Sequence, residues 1–584
     1  MNKSGRIIIL IFIIIVLGVG GVFSYVMLLK PNEEMTTLFD STKINFIVED
    51  RIIKSNEEII KDEDSLYMPM SLVKSYIDEN INWDKENKRL TITTKDKVIR
   101  LKTEALEAFV NDKPYPVNIP VKIISSKVYI PVDFLTDFYN IEFSYVEKNN
   151  VLILDYPDEY NLTGKPLVDK VYIREGRSIK NKVLGTISIS SGVEITIFEE
   201  YDKWYKVRTG EGILGFVQKK DLKVRLEKKN EFNKLRAPGI SWKPEKGKIN
   251  LVWELVAGGR IDTSLIPEMK SVDVISPTWF RVQNKEGYLL NDVDKKYLEW
   301  AQGKGYQVWA LVANDFNNPE NTGIFLRDSY ARENFIREIL TYAAVYNLDG
   351  INMDFENINI ENKEDYIQLI RELTPMLHEQ GLVVSVDVGV PDGSVNWSQS
   401  HDRKAIAEIV DYVMVMTYDQ HWSSSNTAGS VAQYSWMEVR LKRTLEEVPR
   451  EKLLLGIPNY IRVWKETNNK ASSSGVISIR TAKDYLLKKN AIPVWDSVSG
   501  QYYAEFTDEG IKKRVWLEDT NSIDLKTSLV LKYNLAGAAT WKRSDSNKEI
   551  WEVYNKNLKE YENYNQWQEN YKLYDFGMME QVGN

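Results

Sequence analysis

The chain of 584 residues contains no cysteine and only three histidines. Without cysteine there is neither a disulfide framework nor a thiolate metal site. His378, His401 and His421 form no H-x-x-x-H pair, which argues against zinc chemistry. No metal and no cofactor is expected. A basic surplus is also lacking, since the net charge is -8. Nucleic acid, which calls for a basic face, is therefore not an expected partner. Hydrolytic chemistry in such a chain has to rest on carboxylates. Flat rings, in contrast, are plentiful, with 16 Trp and 32 Tyr. They can stack on sugar faces as well as fill cores.

One long apolar run is present, Ile7 to Leu29, long enough to span a bilayer. Lys3 and Arg6 precede it, which favours a cytoplasmic N-terminus. No A-x-A-like cleavage site follows, so an uncleaved anchor is favoured over a cleaved signal. Either way the expectation is one transmembrane helix, 7–29, with the bulk of the chain extracellular, on the cell-wall side of the membrane.

The next segment repeats itself. Leu66 to Thr94 and Val128 to Tyr156 share a pattern in which Tyr67 and Pro69 match Tyr129 and Pro131. Each copy reads as a strand, a short amphipathic helix and a hairpin turning at Asp84–Asn87 or Glu147–Asn150. The pattern over 36–160 resembles the domain named after the N-terminus of copper amine oxidase. This segment has no His and no Cys, so copper has no ligands here, and a spacer or wall-adhesion module is expected. Residues 168–226 are short alternating strands between Gly and Ser turns. They resemble a bacterial SH3-like domain, with Trp204, Tyr205, Gly215, Phe216 and Val217 at its signature positions. The resemblance implies wall peptides as a partner, while Trp204 and Phe216 themselves are expected to be core.

From Lys246 apolar strands alternate with helical stretches, and eight strand candidates can be counted between Ile249 and Asp545. The expectation is a multidomain chain with an α/β (β/α)8 TIM barrel over 245–560. A small α+β insertion is expected at about 465–535, and a tail at 561–584. An α+β repeat domain and a small all-β SH3-like barrel precede the TIM barrel.

The fourth candidate reads Asp349-Gly350-Ile351-Asn352-Met353-Asp354-Phe355-Glu356. Alternation across a strand sends Ile351, Met353 and Phe355 to the outer helices. Asn352, Asp354 and Glu356 then face the barrel interior. Two acids on one inward face push a carboxyl pKa upward, which suits Glu356 to protonate a leaving group.

This motif resembles that of glycoside hydrolase family 18, D-G-x-D-x-D-x-E, and the resemblance covers roughly 245–560. It implies a retaining, substrate-assisted hydrolysis in which the sugar's own 2-acetamido group attacks the anomeric carbon. Carried onto this chain, Glu356 is the acid and then the base, Asp354 orients the acetamido group, and Asp349 is a buried support. The middle Asp of the motif is Asn352 here, an amide that can hydrogen-bond Asp354 but cannot trade a proton with it. This departure is common in the branch acting on bacterial spore and cell walls. Met416 to Asp419 (MTYD) makes Tyr418 the acetamido partner and Asp419 a contact to the same sugar. Gly537 to Trp541 (GAATW) makes Trp541 the floor of the catalytic subsite. Trp279, Asn314, Tyr460 and Trp464 lie near strand ends as further cleft candidates. The expected substrate is peptidoglycan, cut at N-acetylglucosamine. A chitinase, an endo-β-N-acetylglucosaminidase on other glycans, and a non-catalytic wall-binding scaffold are the alternatives.

Overall fold

The computed structural model describes residues 3–24, 30–156, 160–228 and 242–575, apart from 257, 259, 468 and 469. The chain divides into two compact units. One holds residues 1–81, 102–107 and 116–236; the other holds 82–101, 108–115 and 237–584.

In the first unit the apolar run enters as a helix, Lys3–Ser24, whose Ile9 to Leu17 side chains are exposed. Among the described residues no helix is long and apolar enough to cross a membrane. The expected span, 7–29, lies partly outside those residues. The sequence repeat becomes a local symmetry. Strand Ser65–Pro69 leads into helix Met70–Tyr76, and strand Lys127–Pro131 leads into helix Val132–Phe138. The two strands pair antiparallel with Tyr67 opposite Pro131 and Pro69 opposite Tyr129. Each proline closes its strand and stands at the N-cap position of its helix, outside the helical hydrogen-bond ladder, where its missing backbone N–H breaks no intrahelical bond. Residues 160–228 form a seven-stranded antiparallel sheet. Trp204 and Val217 are buried in it. Gly215 has no room for a side chain, since a Cβ there would stand 2.5 Å from the Arg174 carbonyl oxygen.

The second unit is built on eight parallel strands: β1 (Ile249–Glu254), β2 (Val274–Val282), β3 (Gln307–Ala313), β4 (Gly350–Asp354), β5 (Val383–Gly389), β6 (Tyr412–Met416), β7 (Leu453–Pro458) and β8 (Gly537–Trp541). They close into a barrel through β1–β2 and β8–β1 pairing. Inward-facing Ile249, Leu251, Trp253, Trp309, Leu311, Tyr412, Met414 and Leu454 fill its lower interior. Gly350 makes room for this filling, because a Cβ there would lie 2.8 Å from the Trp309 ring. Outward-facing Ile351, Met353 and Phe355 join the core shared with the surrounding helices, as alternation predicts.

One device recurs at the base of the barrel. Asp273, Asp349 and Asp411 each stand one residue ahead of an even-numbered strand. Each accepts a hydrogen bond from the backbone N–H of the second residue of the preceding odd strand: Asn250 (2.8 Å), Val308 (2.9 Å) and Val384 (2.8 Å).

The insertion begins directly after β7, earlier than expected. Strands from Tyr460–Thr467 to Ile511–Leu517 make a five-stranded antiparallel sheet, with helix Ile479–Lys488 packed on it. Residues Thr520–Lys532 are a barrel helix. The expected tail is anchored at least as far as Tyr574. Helix Tyr564–Asn570 buries Trp567, whose indole N–H donates to Asp524 (2.8 Å). Residues 576–584 lie outside the described ones.

The hairpin of the first repeat goes to this second unit, not the first. Residues 82–101 and 108–115 belong to a five-stranded sheet against two barrel helices, α1 (Ser329–Tyr346) and α2 (Lys363–Glu379). Arg100 and Arg332 both reach the Glu372 carboxylate (3.3 and 2.9 Å), with all three side chains at most 1% exposed. Gln368 donates to the same carboxylate, and Arg89 pairs with Glu333 beside it.

Candidate active site

The site lies where β4, β5 and β6 end. Parallel pairing sets Asn352 beside Ser385 and Met353 beside Val386, and Asp354 and Asp387 are the next residues along these two strands. Glu356 follows immediately after β4, and its backbone is clamped from two sides. Its N–H donates to Asn314 Oδ1 (2.9 Å) and its carbonyl accepts from Asn314 Nδ2 (2.8 Å). The preceding carbonyl, of Phe355, accepts from His401 Nε2 (2.8 Å), while His401 Nδ1 accepts from the Gly389 N–H (3.2 Å). Both ring nitrogens are thereby used in one tautomer. Burial drives the His401 pKa down to about 4, so the ring is neutral.

The carboxyls share a poorly solvated space. Burial pushes Asp354 up to about 7, and its Oδ1 has no hydrogen-bond partner. Burial first, then the charges of Asp354 and Asp419, push Glu356 well above the usual carboxylate range. A raised pKa keeps the Glu356 proton in place at neutral pH, the condition for a general acid.

Asn352 lies deeper. Its Oδ1 accepts from Trp253 Nε1 (2.9 Å) and Ser276 Oγ (3.0 Å), and its Nδ2 donates to Asp387 Oδ1 (2.9 Å). The amide therefore serves Asp387, not Asp354 as expected, because its donor faces the neighbouring strand. Asp349 supports β4 from below through Val308.

Tyr418 is half-buried against the interior cluster, and its ring meets Tyr460 edge-on at 6.5 Å. Asp419, at a left-handed φ of 56°, accepts from Tyr460 Oη (2.6 Å) and Arg462 (3.0 Å). Trp541 is partly buried at the end of β8, edge-on to Trp253 at 6.2 Å. Glu356, Asp354, Tyr418, Asp419, Tyr460 and Trp541 are thus placed at the carboxyl ends of strands, where a barrel site forms.

Three cleft candidates are elsewhere. Trp279 is buried in the outer core, edge-on to Tyr297, since its position on β2 points to the helices. Trp464 is wholly buried in the insertion, donating to the Gly429 carbonyl (2.7 Å). Asn314 is buried as the Glu356 clamp, not as a sugar contact. Asp387, His401 and Arg462 were not singled out in the sequence. For Asp387 a signal existed: Ser385 and Asp387 alternate on one face of an otherwise apolar strand. His401 carried none, because it meets Phe355 only through the fold.

Residues 312–545 match the family described as Glycosyl hydrolases family 18. Residues 47–154 match the Copper amine oxidase N-terminal domain, and residues 169–223 the Bacterial SH3 domain. Among curated proteins, the uncharacterized glycosylase YvbX of Bacillus subtilis (strain 168) is 26% identical over 287 residues, 47% of this chain and 82% of that protein. The cortical fragment-lytic enzyme of the same organism is 28% identical over 233 residues, 39% of this chain and 54% of that protein. The chain thus spans about half the length of that enzyme. Among solved structures, the Bacillus megaterium QM B1551 spore cortex-lytic enzyme SleL aligns at a TM-score of 0.50 and 23% identity. The alignment covers 54% of this chain and 76% of that one, a likeness of fold alone. The chain carries a glycoside hydrolase family 18 domain, joined to a copper amine oxidase N-terminal domain and a bacterial SH3 domain.

Proposed function

We propose that this family 18 domain cleaves β-1,4 linkages at N-acetylglucosamine in peptidoglycan, with retention and with help from the substrate's acetamido group. The observation that carries the reading is Glu356, held at the mouth of β4 by Asn314 beside a buried Asp354. In the proposed reaction Glu356 donates its proton to the glycosidic oxygen as the bond breaks. The acetamido oxygen closes on the anomeric carbon, and Asp354 and Tyr418 hold that group in line. Glu356, now a carboxylate, takes a proton from the water that opens the oxazolinium ring. Trp541 offers a flat face for the sugar. Asp419, bound by Tyr460 and Arg462, is fixed where it can receive a hydroxyl.

Peptidoglycan is favoured over chitin by the matched bacterial SH3 domain and by relatives named cortical fragment-lytic enzymes. The apolar N-terminal run supports attachment to the outer face of a membrane, with the SH3 domain free to bind wall peptides. The test is digestion of purified bacterial walls by the chain and by Glu356→Gln, with borohydride reduction and mass spectrometry of the new ends. Reduced N-acetylglucosamine ends formed only by the unsubstituted chain are expected. Faster release from chitin oligomers than from walls would assign a chitinase. Binding without release from any glycan, by either form, would leave a scaffold.

A further inference from the structure

We propose that a cavity at the base of the barrel, at the opposite end from the catalytic mouth, is a binding site for a small organic phosphate monoester.

The cavity measures about 460 Å3, within the range of small-molecule sites. Three separate stretches of chain wall it: residues 243–249 leading into β1, Arg450 and Glu451 ahead of β7, and Asn534 to Ala536 ahead of β8. These walls are held through their backbones. The Lys248 N–H donates to the Leu558 carbonyl (2.8 Å), and Lys559 Nζ donates to the Lys246 and Lys248 carbonyls (3.0 and 2.8 Å). The Ala536 N–H donates to the Arg450 carbonyl (2.9 Å). The space is therefore built before any ligand arrives.

Three cations line it, Lys243, Lys248 and Arg450, against one carboxylate, Glu451, which leaves a balance of two positive charges. Among the described residues none of the three cations makes an ion pair. Other lysines of this face are satisfied: Lys559 pairs with Asp273 (2.7 Å), and Lys452 donates to the Ala407 and Val410 carbonyls (2.7 Å each). Lys248 is half-buried, and its hydrogen-bond partner is a neutral amide oxygen, Asn534 Oδ1 (2.6 Å). Burial, with no carboxylate to oppose it, holds the Lys248 pKa below the usual lysine value. A cation withdrawn from water without a counter-charge is costly, and an anion in the cavity would relieve that cost. Because Asn534 Oδ1 accepts from Lys248, Asn534 Nδ2 is left as a further donor.

A phosphate monoester brings nearly two negative charges and three acceptor oxygens near neutral pH, which matches both the charge balance and the number of cations. The Arg450 fork can take two of those oxygens. A carboxylate or a phosphodiester brings one charge only. Ile249, Leu535 and Ala536 supply apolar wall for the carbon skeleton. Glu451 is the sole acid lining the cavity, so the site binds and does not react. Such binding requires no hydrolase activity, and the two readings are tested separately.

The test is isothermal titration calorimetry of the full chain in detergent, at low salt and about pH 7.5, where the monoester is a dianion. The probes are glycerol 3-phosphate, inorganic phosphate, a glycerol phosphodiester and acetate. Glycerol 3-phosphate should bind most tightly. Arg450→Gln and Lys243→Gln, both at exposed positions where folding is not at stake, should each weaken it by about tenfold or more. Lys304→Gln, at the end of an outer helix, should keep the parent affinity. Binding should also weaken as pH falls below about 6, where the monoester gains a proton. No binding of glycerol 3-phosphate at millimolar concentration overturns the assignment. So does inorganic phosphate, the phosphodiester or acetate bound as tightly as glycerol 3-phosphate, or an unchanged affinity in Arg450→Gln.

Discussion

Glu372→Gln removes one charge from the interface between the 82–115 sheet and the barrel helices, with almost no change of shape. In the native chain the Glu372 carboxylate receives Arg332, Arg100 and Gln368 with no exposure to water. Burial alone would raise its pKa; the two guanidinium groups outweigh that and hold it below the usual value. Without the carboxylate, both guanidinium groups remain buried. Arg100 keeps Asp112 as a counter-charge (2.6 Å), while Arg332 keeps the Leu326 carbonyl and Asn82. Breaking a buried pair by removing one partner costs about 3–5 kcal/mol. A unit of this size loses about 2 °C of Tm per kcal/mol, so differential scanning calorimetry should find the barrel transition about 6–10 °C lower. The sign with pH follows from the depressed pKa. The carboxylate's contribution is complete above its unfolded pKa of about 4.3 and is lost as pH falls through the lower folded value. The gap between the two proteins should therefore be full at pH 7 and shrink below about pH 4. A Tm within about 1 °C of the parent at pH 7, or a gap that does not depend on pH, would refute the reasoning.

Asn314→Ala removes both hydrogen bonds to the Glu356 backbone. Misplacement of a reacting group by about 1 Å costs on the order of 100-fold, so steady-state kinetics should show kcat down by about 10- to 100-fold with little change in KM. For His401 the folded pKa of about 4 lies below the ordinary 6.5, so the unfolded chain binds more protons between these values. Stability should be complete above about pH 6.5 and fall by about 3 kcal/mol on the way down to pH 4; urea unfolding of His401→Gln, compared with the parent, should show that slope reduced. Gly350→Ala drives a Cβ to 2.8 Å from both the Trp309 ring and the Val383 carbonyl oxygen. Overpacking of this kind costs about 1–3 kcal/mol, readable in the same unfolding assay.

Periodicity carried most of the fold. All eight barrel strands are found where apolar runs alternate with helical stretches, and the parity of Asn352, Asp354 and Glu356 set them inward. Parity was also what failed for Trp279: proximity to a strand end does not reveal which side of the sheet a residue takes. The Glu356 clamp could not be read, because Asn314 and His401 come from β3 and from beyond β5. Such contacts exist only once the barrel closes. The destination of the first hairpin was equally hidden. Both repeats fold alike locally, but Asp84, Asn87 and the buried Arg89 of the first hairpin meet Ser329, Asp328 and Glu333, and Arg100 just beyond it meets Glu372.

Asp273, Asp349 and Asp411 divide the DGINMDFE motif into two kinds of information. Asp349 is one of three equivalent pins, and its counterparts sit ahead of strands that carry no catalytic acid. Its presence in a sequence reports that a barrel closes there. Asp354 and Glu356 report what that barrel can do. A descendant that abandoned hydrolysis to become a lectin would be free to lose the second pair, yet would be held to the first residue by the fold itself. In such a lineage the front half of the motif would outlive the back half, and a search pattern weighted towards Asp349 would collect binders and enzymes alike.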